Sequence, residues 1–265
     1  MEIISSKENE TIKSIQKLNR SSKDRFELGQ FAIEGIKLAE EALKSQMKIE
    51  VCLVTSSFLA QYQAFVDQLA SRAKRLCLID TKLETKISIN PSPQGLYCIC
   101  QLPNFITPNH NIHAGKHLAL IQIQDPGNLG TIIRTAEAFS LDCLYISADS
   151  VDLFAPKVIR ASMGSCFRQK IVILDDVYAF LKECSNTKTT TYAAVLSEKS
   201  QNISQVKFSE NSVIFIGNEG NGLPTELTKN IEHHIKIPIA AHVDSLSVAV
   251  ASGIAAYHLT KKEKV

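Results

Sequence analysis

The sequence lacks any apolar run of the roughly 20 residues that a membrane-spanning helix needs, and its first residues have no apolar stretch of the signal-peptide type. It also lacks an excess of either charge, because 29 basic residues stand against 27 acidic ones. This excludes the bulk basicity of a non-specific nucleic-acid binder, so any RNA partner must be held by local patches. With 45% hydrophobic and 21% charged residues, the composition is globular and excludes collagen, long disorder and coiled coils. We expect a cytoplasmic protein.

The sequence also lacks cysteines at the spacing of metal ligands. The chain contains no C-x-x-C pair, and no cysteine has neighbours at the spacing of a zinc site. A chain of 265 residues buries enough surface to fold without disulfides or a metal. We therefore expect the cysteines to be small buried hydrophobes in a reducing compartment. They are Cys52, Cys77, Cys98, Cys100, Cys143, Cys166 and Cys184.

The first part of the chain has the pattern of a small α/β unit. Residues 1–48 are predicted to be helical. Short apolar, β-branched segments at 49–55, 75–80 and 95–102 then predict strands. The segment 102–115, rich in proline and asparagine and without periodicity, is predicted to be a linker.

The second part alternates strands with helices from residue 117 onwards. This order predicts an α/β domain with a mostly parallel sheet and helices on both of its faces. We therefore predict two domains, at 1–108 and 109–265.

Basic side chains recur on one face of the first predicted helix. Lys13, Lys17 and Arg20 follow the i, i+4, i+7 pattern, and Arg25 comes after a polar turn. A solvated helix face would show the same pattern. The functional alternative is a stripe that contacts RNA phosphates, and these four residues are the candidates for it.

The first segment with chemical potential follows the strand at 117–124. Asn128 stands where a helix N-cap belongs, and Arg134 lies off the apolar face of the helix. A purely structural role remains open, in which Asn128 caps the helix and Arg134 pairs with Glu137. However, polar side chains at the carboxyl end of a strand are where open α/β sheets build their sites.

The second segment is a glycine-rich loop after a predicted strand. Gly217, Gly220 and Gly222 surround Asn218 and Glu219, and glycine allows close backbone approach. The spacing is G-x-x-G-x-G rather than the G-x-G-x-x-G of dinucleotide sites, and no G-K-[ST] follows. Because a carboxylate repels a pyrophosphate, the loop favours a cationic or neutral ligand such as a sulfonium.

The third segment leads into the last predicted helix. Asp244 or Ser245 is placed to cap that helix, which is apolar or small nearly all round from Leu246 onwards. Such a helix is expected to be buried, with its serine-rich start facing the ligand loop.

Together and in this order, the three segments resemble the motifs of the SpoU/TrmH-type RNA methyltransferases of the SPOUT superfamily. The residues that match are Asn128, Gly130, Arg134 and Ala136; Gly217, Asn218, Glu219, Gly220 and Gly222; and Ile237, Pro238, Ser245, Leu246, Val248, Ala249 and Val250. The stretches FAIEGIKLAEEAL and PQGLYCI also resemble the L30e-like substrate-binding domain that precedes the catalytic domain in the ribosomal-RNA branch of this family.

The resemblance implies a C-terminal trefoil knot, a homodimer and S-adenosylmethionine as the methyl donor for a ribose 2′-hydroxyl in RNA. Ribosomal RNA is favoured over tRNA. The catalytic candidates that it implies are Arg134, Asn128, Glu219 and Ser245. Arg134 would act either as a base or by stabilising an alkoxide through its charge. The cofactor-binding candidates are Val195, Leu196, Ser197, Gly217, Asn218, Gly220, Gly222, Ile237, Ile239 and Leu246.

This sequence departs from the family pattern at three places. Ser247 replaces the family's asparagine, Ile239 its usual methionine and Ala241 its usual glycine. One alternative is therefore a catalytically silent, knotted scaffold that binds RNA. A nucleotide-dependent oxidoreductase is a second alternative, and the missing G-x-G-x-x-G motif argues against it.

Overall fold

The computed structural model describes residues 2–103 and 112–261. The strands are β1 (Glu2–Ile4), β2 (Gln30–Glu34), β3 (Ile49–Thr55), β4 (Ala73–Ile79), β5 (Leu96–Gln101), β6 (Lys116–Leu120), β7 (Cys143–Ser147), β8 (Ile171–Leu174), β9 (Thr190–Ala194), β10 (Gln201–Asn202), β11 (Ser212–Ile216) and β12 (His233–Lys236). The helices are α1 (Glu10–Arg20), α2 (Ser22–Leu28), α3 (Ile36–Lys44), α4 (Ser56–Gln61), α5 (Gln63–Arg72), α6 (Glu84–Ile87), α7 (Pro126–Ala138), α8 (Pro156–Ser162), α9 (Val177–Asn186), α10 (Thr225–Lys229) and α11 (Val248–Thr260).

The chain forms two compact units. One comprises the chain up to Pro103 together with Asp152–Phe167, and the other comprises the rest. The boundary predicted at 108 lies outside the described residues.

The first unit is built on a five-stranded sheet in the order β1-β4-β3-β5-β2. β1, β4 and β3 pair in parallel, whereas β5 runs antiparallel to both β3 and β2. The prediction of helix throughout 1–48 is wrong at β1 and β2. β2 follows Gly29, whose left-handed φ of 61° ends α2. Its three consecutive apolar residues are buried and pair with β5, so tertiary pairing decides the local structure.

The segment Asp152–Phe167 belongs to this first unit although it stands between β7 and β8 in the sequence. The ring centroids of Phe154 and Phe167 lie 4.7 and 5.7 Å from that of Phe31. Asp152 forms an ion pair of 2.5 Å with Arg25, whose guanidinium also donates to the carbonyl of Leu18. The segment is thus fixed by a buried aromatic cluster and a largely buried ion pair.

Arg25 is therefore not part of a solvent-facing stripe. It is 4% exposed, so the prediction that it contacts RNA phosphates is wrong. The sequence placed it after a polar turn, but α2 starts directly at Ser22 behind its N-cap Ser21 and turns Arg25 inwards.

Arg25→Ala is expected to lower the free energy of unfolding by about 3 kcal/mol, because it leaves the Asp152 carboxylate without its partner in a largely buried place. Lys23→Ala is the matched control on the same helix. Lys23 is 82% exposed in its pair with Glu27, so its removal should change stability by no more than about 0.5 kcal/mol. Urea unfolding compares the two variants, and equal stabilities would contradict the structural role of Arg25.

The second unit contains a seven-stranded sheet in the order β10-β12-β9-β11-β6-β7-β8. All six neighbouring pairs are parallel, which confirms the predicted α/β class with its mostly parallel sheet. Tyr145, Phe180 and Phe215 are buried in its core.

All seven cysteines are buried and free of disulfides, as the sequence predicts. Burial raises the pKa of the Cys143 and Cys184 thiols to about 12. These thiols therefore stay protonated and act as core packing. Within residues 2–103 and 112–261, no helix has the length and apolar character to cross a membrane.

Candidate active site

Several predicted site residues lie in loops that follow neighbouring strands of the second sheet. β12, β9, β11 and β6 are consecutive neighbours and run in parallel. The loops that follow them therefore all leave from the carboxyl edge.

The loop after β11 is closed by a backbone bridge. Asn218 and Gly222 exchange two hydrogen bonds of 3.0 and 3.1 Å. A Cβ at Gly217 would overlap the carbonyl carbon of Gly222, and Gly222 has a φ of 66°. The Asn218 side chain also accepts from the amide of Gly220 at 2.8 Å. Glycine is thus required at both ends of the bridge, for space at Gly217 and for conformation at Gly222.

Gln122 supports this loop and is a residue that the sequence analysis missed. Its carbonyl accepts from Asn218 Nδ2 at 2.8 Å. Its backbone has a left-handed φ of 58°, which is uncommon for a side chain of this kind. The turn after β7 holds it there, since Ser147 Oγ accepts its amide and Asp149 its side-chain amide, each at 2.8 Å. The one signal for this role is the left-handed φ of Gln122, and a sequence does not show backbone angles.

Asn128 joins the first motif to the second. The N-cap of α7 is Asp125, which accepts from the amide of Asn128 at 2.7 Å, so the placement of Asn128 at the cap is wrong. Pro126 fits the first helical position, where no amide donor is needed, and this moves the helix start upstream. Asn128 is left free to donate from Nδ2 to Glu219 Oε1 at 3.1 Å.

Arg134 is exposed on α7. The predicted structural alternative paired it with Glu137, but Glu137 binds Arg168 at 2.5 Å instead. Within the described residues the guanidinium of Arg134 has neither an ion pair nor a hydrogen bond. Its positive charge is therefore available to a ligand.

The loops after β9 and β12 lie next to each other. The amide of Val195 donates to the carbonyl of Ile235 at 2.9 Å, and Lys236 Nζ donates to the carbonyl of Ser197 at 3.1 Å. Leu196 is 57% exposed, and Ile237, Ile239 and Leu246 are half-buried. We call these four apolar residues, Leu196, Ile237, Ile239 and Leu246, the apolar rim.

Ser245 and its neighbours differ from the prediction. Ser245 is exposed and, within the part of the chain that the structure describes, its side chain forms no hydrogen bond. The N-cap of α11 is Ser247, whose Oγ accepts from the amide of Val250 at 3.4 Å, so neither Asp244 nor Ser245 caps it. Serine and asparagine are both strong N-caps, so either residue can cap α11 at position 247.

α11 is not buried all round, contrary to the prediction. One face packs against α7, where a Cβ on Gly253 would lie 3.6 Å from the methyl group of Thr135. On another face Val250 and Tyr257, seven residues apart, are 51% and 49% exposed. Small residues allow the close helix approach, and the exposed pair leaves an apolar face uncovered.

These loops fit S-adenosylmethionine by their chemistry. The Glu219 carboxylate has the charge that a sulfonium would need, the apolar rim suits the faces of an adenosine, and the three glycines leave backbone groups of the loop open. Within the described ranges no group of histidine, cysteine, aspartate and glutamate residues could hold a metal ion.

Comparison with known proteins agrees with this geometry. The 23S rRNA (guanosine(2553)-2′-O)-methyltransferase RlmP of Bacillus subtilis is 29% identical over 259 residues, which cover 98% of this chain and 99% of that protein. The 23S rRNA (guanosine-2′-O-)-methyltransferase RlmB of Acinetobacter baylyi is 28% identical over 146 residues, 55% of this chain and 59% of that protein.

Structures and sequence families give the same assignment. The crystal structure of an AdoMet-bound rRNA methyltransferase from Sinorhizobium meliloti matches with a TM-score of 0.85 and 29% identity and covers 97% of both chains. Residues 9–98 match the MRM3-like substrate binding domain. Residues 115–257, more than half of the chain, match the SpoU rRNA Methylase family. The chain therefore belongs to the SpoU rRNA methylase family.

Proposed function

We propose that the protein transfers the methyl group of S-adenosylmethionine to a ribose 2′-hydroxyl of ribosomal RNA. The observation that carries this proposal is the hydrogen bond between Asn128 and Glu219. It unites the first two motifs at the sheet edge where the cofactor loops also emerge. A ribosomal substrate would place the reaction in the cytoplasm.

Each of the site residues has a defined task in this reaction. S-adenosylmethionine supplies an activated methyl group on a sulfonium. As the 2′-hydroxyl gives up its proton to water, the exposed guanidinium of Arg134 stabilises the negative charge that develops on the 2′-oxygen. Asn128 fixes the orientation of Glu219, and the bridged loop fixes its position. Ser245 stands at the rim and serves in binding the ribose.

The test is incorporation of labelled methyl from S-adenosylmethionine into total RNA, followed by mapping of the modified nucleotide. A 2′-O-methyl group at a defined rRNA position supports the proposal. Cofactor binding without transfer to any RNA would support the silent scaffold instead. Modification of tRNA alone would show that the substrate is tRNA rather than ribosomal RNA.

The first unit is the RNA-binding part in this proposal. Lys17 and Arg20 are exposed on α1, and Lys13, which is paired with Glu8 at 2.6 Å, is half-exposed. With Arg25 removed from the stripe, these three residues form a shorter basic face that suits phosphate contact.

We further propose the trefoil knot and the homodimer. α11 returns from β12, at one side of the sheet order, to pack against α7, β6 and β11, an arrangement that a threaded chain would have. The uncovered apolar face of α11 is the surface proposed for the second copy.

Val250→Glu is expected to make the protein monomeric at micromolar concentration, because it puts a charge on the exposed apolar face of α11. Tyr178→Glu is the matched control, since Tyr178 is 52% exposed on α9. Light scattering measures the mass of both variants and of the wild type. A wild-type monomer, or a Val250→Glu dimer, would contradict the proposed interface.

A further inference from the structure

A cavity lies in the first unit, whereas the residues of the candidate active site belong to the second. Its volume is about 350 Å³, which is at the lower end of the roughly 300–1,000 Å³ of small-molecule sites. Its lining includes Ser57, Phe58, Gln61, Tyr62, Glu84 and Gln94. These residues come from α4, from the junction of α4 with α5, from α6 and from the loop before β5, so the sheet holds the walls together.

The aromatic wall of the cavity has one covered and one open ring. The centroids of Phe58 and Tyr62 lie 4.8 Å apart with the rings tilted by 37°. Phe58 is 5% exposed whereas Tyr62 is 37% exposed. Phe58 thus packs against Tyr62, and the exposed part of Tyr62 is available to a planar partner.

The polar wall consists of side chains that can form hydrogen bonds with the polar edge of a planar ligand. The side chain of Gln94 lies against Gly35, where a Cβ would overlap its Oε1. The Glu84 carboxylate accepts from the Tyr97 hydroxyl at 3.1 Å, which fixes its orientation. A carboxylate repels a phosphate group but accepts from the N–H groups of a base. The cavity therefore selects against the backbone of a nucleic acid and for its bases.

We infer that this cavity binds one unpaired nucleobase of the RNA substrate, stacked on Tyr62 with its polar edge towards Glu84 and Gln94. The inference rests on the proposed function only for the statement that the ligand is RNA. Guanine fits Glu84 best, because its N1–H and N2–H groups lie side by side and both donate to one carboxylate. Stacking on an aromatic side chain is the usual means of holding a splayed base.

The absence of tryptophan from the sequence makes this inference directly measurable. Tyr62→Trp places the single indole of the protein in the cavity wall, and Tyr178→Trp places it at an exposed position of α9 as the control. The probe is a single-stranded oligouridylate of about 12 nucleotides, within the range of single-strand site sizes, with and without one central guanosine.

The expected result is that RNA binding quenches the indole emission of the Tyr62→Trp variant but not that of the Tyr178→Trp variant. Binding should be tighter for the oligonucleotide that contains guanosine. Tyr62→Ala should weaken RNA affinity about 10-fold, as lost base stacking does. It should raise KM for RNA while kcat and the affinity for S-adenosylmethionine stay unchanged. Circular dichroism and thermal melting establish that every variant is folded.

Three results would overturn the inference: unchanged emission of the Tyr62→Trp variant on bound RNA, equal RNA affinity of Tyr62→Ala and wild type, or equal quenching by inorganic polyphosphate. Equal binding of both oligonucleotides would overturn the guanine preference. A failure of the proposed function looks different, since the wild type would then transfer no methyl group to RNA while the fluorescence change remained.

Discussion

Arg134→Ala is expected to lower the rate of methyl transfer by at least roughly 100-fold, the usual loss when a charge-stabilising or proton-transferring group is removed from an active site. Arg134 is exposed on α7, and its guanidinium has no ion pair or hydrogen bond within residues 2–103 and 112–261. Its removal should therefore cost little stability. The affinity for S-adenosylmethionine should also stay unchanged, since the cofactor loops follow other elements.

Two further variants decide what Arg134 does. Arg134→Lys keeps the positive charge and loses the planar fork, so partial activity indicates charge stabilisation of the alkoxide. Arg72→Ala, at an exposed arginine near the end of α5, is the control for the loss of a surface guanidinium and should keep kcat. Single-turnover transfer on a mapped 2′-O site measures the effect. Wild-type rates for Arg134→Ala on that site would show that the assignment is wrong.

The sequence predicted the fold class of the second unit because this class depends on periodic hydrophobic patterns. Alternating apolar strands and amphipathic helices are local patterns, and the parallel sheet follows from their order. The first unit was less predictable at β2, whose residues become a strand only through pairing with β5. The membership of Asp152–Phe167 in the first unit depends on Arg25 and Phe31, which are more than 100 positions away, and no local pattern records such contacts.

Local sequence patterns likewise predicted some features of the candidate site and missed others. Motif spacing identified Asn128, Glu219 and the glycine loop, and the structure brings these together. The roles of single side chains at helix starts were wrong, because several adjacent residues could each cap. Asp125 rather than Asn128 caps α7, and Ser247 rather than Ser245 caps α11. Gln122 was invisible to sequence reasoning, since its contribution is a backbone carbonyl in an unusual conformation.

Gly217→Ala is expected to abolish the bridged loop and with it cofactor binding. The new Cβ would overlap both the carbonyl carbon and the carbonyl oxygen of Gly222. Backbone atoms cannot rotate away as a side chain does, so Asn218 and Gly222 must separate and lose both hydrogen bonds of their bridge. We expect the affinity for S-adenosylmethionine to fall by roughly 10-fold or more, since each of the two lost hydrogen bonds contributes about 0.5–1.5 kcal/mol.

The matched variants lie at Gly220, in the same loop. A Cβ there would meet nothing closer than Asn218 Oδ1 at 3.4 Å, so Gly220→Ala should keep both the loop and its binding. Gly220→Val should keep the loop but weaken binding, because its larger side chain intrudes into the proposed ligand space. Calorimetric titration with S-adenosylmethionine, together with melting temperatures, separates a broken loop from a blocked one. Wild-type affinity in a folded Gly217→Ala variant would show that the bridge is not needed for the cofactor site. Wild-type affinity in Gly220→Val would show that the ligand does not bind next to Gly220.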